Sequence, residues 1–125
     1  MQQYVPPAYK SPHRVMVLGA ATRGWYDATE QQRLERYLPR FRQVLASWED
    51  MGAKLIASFD DDYFVTGEPA SADFSIYLLY EVEDPGIVAA MIQQMREEVD
   101  GARLDRCFRF EARIGRALFL ASDFT

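Results

Sequence analysis

The hydrophobic positions divide the chain into four strand-like and two helix-like segments. Continuous apolar runs at RVMVLGAA (14–21) and DFSIYLLYEV (73–82) are typical of strands that are covered on both faces. Alternating patterns at KLIASFDDDYFVT (54–66) and LDRCFRFEARIG (104–115) are typical of edge strands. Between these strands, apolar positions recur at helical spacing in two segments. The element order is therefore βαββαβ.

The first helical segment follows a capping signal and contains one proline. Thr29 followed by Gln32, or Asp27 followed by Glu30, has the spacing of a capping box. Pro39 lies inside the apolar stripe and predicts a kink or a break just before it. The stripe consists of Leu34, Leu38, Phe41, Leu45 and Trp48. The preceding segment TRGWYD (22–27) is predicted to be a loop.

The second helical segment has clear signals at both ends. Asp84 followed by Pro85 predicts a cap and a first helical residue, and Gly101 predicts the end of the helix. One apolar face is predicted for this helix, made of Ile87, Val88, Met91, Ile92, Met95 and Val99.

This order predicts an α+β fold of the ferredoxin-like βαββαβ type over residues 14–116. The expected antiparallel sheet has four strands in the order 4-1-3-2 and two helices on one face. Both faces of its central strands are apolar, because Val15 and Val17 alternate with Met16 and Leu18. The second face needs a cover, so the pattern predicts a homodimer whose sheets pack face to face.

Two terminal segments lie outside this unit. Residues 1–13 contain three prolines and are predicted to form an extended tail. The apolar stretch ALFLASDFT (117–125) is predicted to pack on the dimer.

Composition excludes several classes of partner. The formal net charge is −5, whereas nucleic-acid binding needs a basic surface, so no nucleic-acid partner is expected. No apolar run has the length of a membrane span, and no membrane partner is expected. A single cysteine, together with the lack of an apolar leader at the N-terminus, predicts a cytoplasmic protein.

The acidic run FDDDYF (59–64) is the first candidate for chemistry. Strand alternation places Asp61 with Phe59 and Tyr63 on the more apolar face, which we assign to the helix-covered side. Desolvation there would raise the pKa of Asp61 toward that of a useful general acid or base. The alternative is that the charges protect an edge strand from pairing with other chains. A β-bulge within residues 59–64 would invert the face assignment.

The other candidates are aromatic or basic. Trp25 and Tyr26 would form a flat wall for a ligand, or Trp25 would cap the core. Tyr80 would donate a hydrogen bond beside Asp61, or pack in the core. Arg109 would anchor a carboxylate, or belong to a ladder of ion pairs along the last strand.

Metal and haem chemistry are not expected. Consecutive acidic residues on a strand point apart, and the only histidine, His13, lies in the tail. Cys107 has no histidine near it in the pattern and is predicted to be a small packing residue. We therefore expect neither a metal nor a cofactor.

Residues 14–115 resemble the dimeric α+β barrel superfamily in element order and in their two-sided apolar strands. The run LIASFDDDYFVTGEP…FSIYLLYEVED is also similar to a small accessory protein of bacterial indole-3-acetate catabolism. The resemblance to the superfamily implies a homodimer with a ligand cleft on the helix-covered side of the sheet.

Three functions stay open at this point. The first is a small catabolic enzyme that acts on an aromatic molecule, such as an indole, by cofactor-free isomerisation, hydration, dehydration or oxygenation. Asp61 and Tyr63 would be its catalytic residues, with Phe59 and Tyr80 beside the substrate. The second is a non-catalytic ligand-binding or accessory dimer, which a cleft without a carboxylate facing the ligand would favour. The third is a structural dimer with a filled cleft.

Overall fold

The computed structural model describes residues 10–63, 65–67 and 74–116. In this part of the chain the strands are β1 His13–Ala21, β2 Lys54–Asp60, β3 Ile76–Val82, β4 Glu98–Val99, β5 Ala102–Arg103 and β6 Phe108–Gly115. The α-helices are α1 Arg23–Asp27, α2 Glu30–Gln32, α3 Leu38–Asp50 and α4 Ile87–Gln93. A π-helical segment, Arg33–Tyr37, joins α2 to α3.

The main sheet is antiparallel and has the order β2-β3-β1-β6. The α+β class and the four-stranded antiparallel sheet are thereby confirmed, and the arrangement is compatible with a ferredoxin-like plan. The predicted order 4-1-3-2 counted only four strands. The structure adds a small hairpin, β4–β5, so the strand next to β1 at the edge is the sixth.

Helices α3 and α4 pack on the same face of the main sheet. Val15 and Val17 of β1 and Tyr80 of β3 belong to one core cluster with residues of α3 and α4, among them Val44 and Met91. Strand register places Met16 beside Leu79 and Leu18 beside Tyr77 on the opposite face. We call that side the open face. Its apolar side chains are Met16, Leu18, Ala57, Phe59, Tyr77 and Leu79.

Trp48 lies at the centre of the core. Its side chain is fully buried, and its indole Nε1–H donates a hydrogen bond to the Met91 carbonyl oxygen at 3.0 Å. Its ring meets that of Tyr80 edge to face, with centroids 5.8 Å apart. This side chain therefore connects α3, α4 and β3.

The predicted interruption near Pro39 is present. Thr29 and Gln32 form the capping box, and the backbone turns π-helical before α3 begins at Leu38. A π turn holds more residues than an α turn, so side chains before Leu38 are rotated out of the stripe. Leu34, which the stripe placed in the core, is 58% exposed.

Other boundaries differ from the sequence-based prediction. The segment 22–27 contains the short helix α1 rather than a loop, and His13 begins β1 instead of ending the tail. Helix α4 begins at Ile87, because the Asp84 side chain accepts the Gly86 N–H in a turn that precedes it. Val99 belongs to the β4–β5 hairpin and not to the helix.

The terminal predictions fall largely beyond the residues described. Positions 1–9 of the tail and the whole of 117–125 lie outside them. Within the described ranges, no helix is both long enough and apolar enough to cross a bilayer.

Candidate functional site

Asp61 lies on the open face of the sheet, beside two stacked aromatic rings. Register pairs Phe59 with Tyr77, and their rings stack with centroids 4.7 Å apart and an interplanar angle of 14°. The Tyr77 hydroxyl donates a hydrogen bond to Asp61 Oδ2 at 2.9 Å. The Asp61 N–H in turn donates to the Ser75 carbonyl oxygen at 3.0 Å.

This position corrects the predicted face of Asp61. The register of β2 on β3 shifts between Leu55 and Ala57, so one extra residue enters the strand. Before the shift Leu55 pairs with Tyr80, which faces the helices, whereas Ala57 pairs with Leu79 on the open face. A bulge reverses alternation downstream of it. Phe59 therefore lies on the open face, and Asp61 reaches Tyr77 there.

Tyr77 is the functional candidate that sequence reasoning missed. The hydrogen bond to Asp61 raises the pKa of the Tyr77 phenol, and desolvation adds to the effect. The phenol therefore stays a donor over the physiological pH range, and it holds the carboxylate in one orientation. Knowing that Phe59 pairs with Tyr77 would have identified Tyr77 as a neighbour of Asp61. That pairing could not be predicted, because it depends on the bulge in β2.

The rest of the acidic run is a turn at the end of the strand. β2 ends at Asp60, whose Oδ1 accepts the Asp62 N–H at 3.3 Å. Such a local bond competes with the strand ladder and ends it. The predicted strand to residue 66 is therefore too long, and Tyr63 is fully exposed. Asp60 and Asp62 are also exposed, as edge protection requires.

Trp25 and Tyr26 do not form one wall. The Trp25 ring packs against Phe108 with centroids 5.2 Å apart, and the Arg33 guanidinium lies 5.2 Å from its centroid. Tyr26 points away and is 68% exposed. Trp25 thus covers the edge of the core, which was the alternative interpretation of this residue.

Tyr80 is a core residue in this structure. It is 1% exposed, and burial raises the pKa of its phenol to about 12. Its ring contacts Trp48 on the helix-covered side, whereas Asp61 is on the open face. The structure therefore does not bring Tyr80 and Asp61 together.

Arg109 stacks its guanidinium over the Phe74 ring, 4.9 Å from the centroid. It lies on β6 opposite Ala20, at the same end of the sheet as Asp61. Its neighbours along the strand, Glu111 and Arg113, form an exposed ion pair with N and O 3.3 Å apart.

A separate cleft lies on the helix-covered side, between α4 and β6. It has a volume of about 230 Å³, and we call it the α4–β6 cleft. Its apolar lining comes from Ile92, Met95, Phe108 and Phe110. Phe41 extends the aromatic wall behind it, with centroids 5.3 Å from Phe108 and 5.5 Å from Phe110. The size is below the ~300–1,000 Å³ of drug-sized pockets, so it suits a small aromatic molecule.

The polar lining of the cleft consists of Thr22, Arg96, Asp105 and Arg109, of which Arg109 was a candidate from the sequence. Asp105 is engaged by Arg103, whose Nε and Nη2 donate to its two carboxylate oxygens at 2.7 and 3.0 Å. A carboxylate that accepts both bonds of a guanidinium is held as a structural partner. The resemblance implied a cleft on this side of the sheet, but apart from Arg109 the sequence analysis did not identify the residues that line it, because they come from distant segments of the chain.

Cys107 is buried beneath this region beside Tyr37. Burial raises the pKa of its thiol, although a hydrogen bond from Tyr37 acts in the opposite direction. A buried thiol of raised pKa is a poor nucleophile, which fits the packing role predicted for it. Among the described residues, no three side chains of His, Cys, Asp or Glu come together as metal ligands would.

Comparison with known proteins adds no assignment. No protein-family profile matches the sequence, and no curated protein matches it significantly.

Proposed function

We propose that the protein is a non-catalytic accessory dimer that binds a small aromatic molecule in the α4–β6 cleft. The supporting observation is the separation of the cleft from Asp61, the carboxylate that the sequence analysis assigned to acid–base work. Phe108 and Phe110 offer an aromatic wall on one side of the sheet, whereas Asp61 lies on the other. Asp105, the one carboxylate among the described residues that line the cleft, is held by Arg103. A role in cytoplasmic aromatic catabolism rests on the resemblance described above.

Filling the cleft tests this function. Ile92 is partly buried at the cleft wall, and Ile92→Trp should occupy the space that a ring would take. Indole-3-acetate and simple phenols should raise the unfolding temperature of the wild-type protein, since they bind only the native state. The shift should disappear in Ile92→Trp, provided that its circular dichroism spectrum is native.

Asp61→Asn is the matched control for that experiment. This variant keeps the shape of the side chain but cannot ionise, and it lies on the opposite face from the cleft. The thermal shift should therefore be unchanged. A shift that survives in Ile92→Trp but is lost in Asp61→Asn would move the binding site to the open face and reject the proposal.

A cofactor-free acid–base enzyme is the second candidate function. The 2.9 Å hydrogen bond from Tyr77 to Asp61, next to the exposed Phe59 ring, favours it. Asp61 would then act as the base and Tyr77 as the donor that orients it. Mass spectrometry of indole and phenol mixtures would show turnover that Asp61→Asn abolishes. Absence of turnover in the wild-type protein would reject the enzyme and leave non-catalytic ligand binding as the proposed function.

The open face is the proposed surface for the second copy of the chain. Register places Phe59, Tyr77 and Leu18 in one row and Ala57, Leu79 and Met16 in the next. Charged residues border these rows. Glu111 and Arg113 lie along β6, and Arg14 and Glu81 lie at one end of the sheet. An apolar patch with a polar rim is the usual anatomy of a protein interface.

The charges at this rim complement themselves under two-fold symmetry. With the axis parallel to the strands, β1 of one copy lies over β3 of the other. Arg14 and Glu81, which pair within one chain at 3.6 Å, would then face Glu81 and Arg14 of the second copy. Asp61 and Arg109, on opposite edges at the other end, would also face each other across the axis. This complementarity supports a second copy of the chain as the proposed occupant.

Leu79→Lys should break the dimer, because it places a charge in the middle of the apolar rows. Sedimentation should show a dimer for the wild-type protein and a monomer for this variant. Ala90→Lys, on the exposed surface of α4, adds the same charge elsewhere and should remain dimeric. A monomeric wild-type protein at micromolar concentration would contradict the proposed interface.

A further inference from the structure

We propose that the α4–β6 cleft takes a carboxylate ligand and that Arg96 anchors it. This inference rests on the proposed binding function and adds the chemical class of the ligand. It names a short aromatic acid, whose ring contacts the phenylalanines and whose carboxylate meets the guanidinium at the mouth.

The first support is the charge balance of the cleft. Three charged residues line it, Arg96, Asp105 and Arg109, and Arg109 stacks its guanidinium over the Phe74 ring. The other two differ in their engagement. Asp105 is neutralised by the bidentate contact with Arg103. The Arg96 guanidinium, by contrast, takes part in no hydrogen bond or ion pair within the described ranges. The cleft therefore presents an available positive charge, even though the chain as a whole carries a net charge of −5.

The second support is the relation of this charge to the apolar wall. Arg96 ends the 3₁₀ turn Gln94–Arg96 that follows α4, and Ile92 and Met95 of the same segment line the cleft. Phe108 and Phe110 face them from β6, with ring centroids 5.9 Å apart. A ring between these walls would place a short acidic side chain toward Arg96. The planar guanidinium matches a carboxylate through two parallel hydrogen bonds.

The third support is selectivity against other ligand classes. An amine would be repelled by the positive charge of Arg96. Asp105 could not attract the amine instead, because its carboxylate is already paired with Arg103. A neutral ring could enter the cleft but would lose the charge-assisted bonds, which are stronger than neutral ones. A phosphate monoester on the same ring would add bulk to a cleft of about 230 Å³. The geometry thus favours a monocarboxylate.

A matched pair of ligands tests the inference on the full chain. Phenylacetate and phenylacetamide have the same ring and nearly the same shape, but only the first is charged. Calorimetry should show phenylacetate binding about tenfold more tightly, and the difference should shrink at high salt. In Arg96→Gln the affinity for phenylacetate should fall to that for the amide. Arg42→Gln, which removes an exposed arginine from α3, should leave both affinities unchanged.

Each alternative result has a distinct meaning. Equal binding of acid and amide by the wild-type protein would overturn the carboxylate inference and leave the binding function standing. A preference for the acid that persists in Arg96→Gln would overturn the assignment of Arg96. If neither compound binds at millimolar concentration and neither perturbs the backbone resonances of residues 92–110, the proposed function itself fails, and the inference fails with it.

Discussion

Replacing Gly24 with alanine should destabilise the fold by about 2–3 kcal/mol, although only one methyl group is added. A Cβ atom at this position would lie 1.8 Å from the Arg106 carbonyl oxygen, and a backbone oxygen cannot rotate aside as the end of a side chain can. Helix α1 would have to move away from the segment before β6. That movement would stretch the bonds from Thr22 N–H to Cys107 O (2.8 Å) and from Thr22 Oγ1 to Arg106 O (3.1 Å).

Urea unfolding followed by circular dichroism measures this effect. Gly115→Ala is the matched control, since a Cβ there meets no atom within 4 Å and the backbone is not left-handed. That control should change the unfolding free energy by less than about 0.5 kcal/mol, or raise it slightly by restricting the unfolded chain. A Gly24→Ala protein as stable as Gly115→Ala would show that α1 does not approach β6 this closely.

The close approach at Gly24 also illustrates what the sequence could not show. The pattern around residue 24 has no helical period, because α1 holds only five residues, and the segment was therefore predicted to be a loop. Its conformation follows from contact with residues 106 and 107, more than 80 positions along the chain. Contacts of this kind leave no local signal.

The long strands, by contrast, could be predicted because their environment acts on every residue. β1 and β3 are covered by helices on one face and form the open face on the other, so nearly all their positions are apolar. That two-sided pattern places them in the centre of the sheet, as found. β2 is an edge strand whose residues are all exposed, and its pattern constrains its register far less.

The error at Asp61 follows from that weak constraint. Strict alternation places Asp61 with Leu55, but one extra residue between Leu55 and Ala57 changes the face of every later side chain. Leu55, Ile56 and Ala57 are all apolar, so the bulge does not disturb the hydrophobic pattern. Phe59 shares a face with Asp61, as alternation predicted, whereas the predicted phenol was wrong: Tyr77 contacts Asp61, and Tyr80 does not.

The α4–β6 cleft could not be predicted either, because it depends on how a helix packs against a strand. Ile92 and Met95 were predicted on the apolar face of the second helix, and Phe108 and Phe110 on the last strand. Each of these residues was therefore predicted to belong to a helix or a strand. Only the packing of α4 against β6 brings them together with Arg96, and a linear sequence does not specify that packing at the level of side chains.

Trp48→Ala should give the largest loss of stability, about 4 kcal/mol. The side chain is fully buried, and its removal leaves a cavity between α3, α4 and β3. The Met91 carbonyl oxygen also loses the indole N–H at 3.0 Å, and Tyr80 loses its edge-to-face partner. Since small domains are stable by only ~5–15 kcal/mol, this variant should unfold at a much lower urea concentration, as circular dichroism can show.

Trp48→Phe separates the hydrogen bond from the packing. A phenyl ring keeps most of the contact with Tyr80 but cannot donate to Met91, so a loss of about 1–2 kcal/mol is expected. The milder variant also keeps the measurement informative if Trp48→Ala does not fold. A loss as large in Trp48→Phe as in Trp48→Ala would mean that the hydrogen bond, and not the buried volume, dominates at this position.

Leu34→Ala is the control that tests whether the π-helical turn directs part of the apolar stripe away from the core. Both residues belong to one apolar stripe in the sequence, yet the π-helical turn before Leu38 leaves Leu34 58% exposed and Trp48 buried. Truncating Leu34 should therefore change the unfolding free energy by less than about 1 kcal/mol, compared with the 2–5 kcal/mol usual for a buried leucine. A large loss at Leu34 would mean that the helix continues without the π turn and that the stripe faces the core along its whole length.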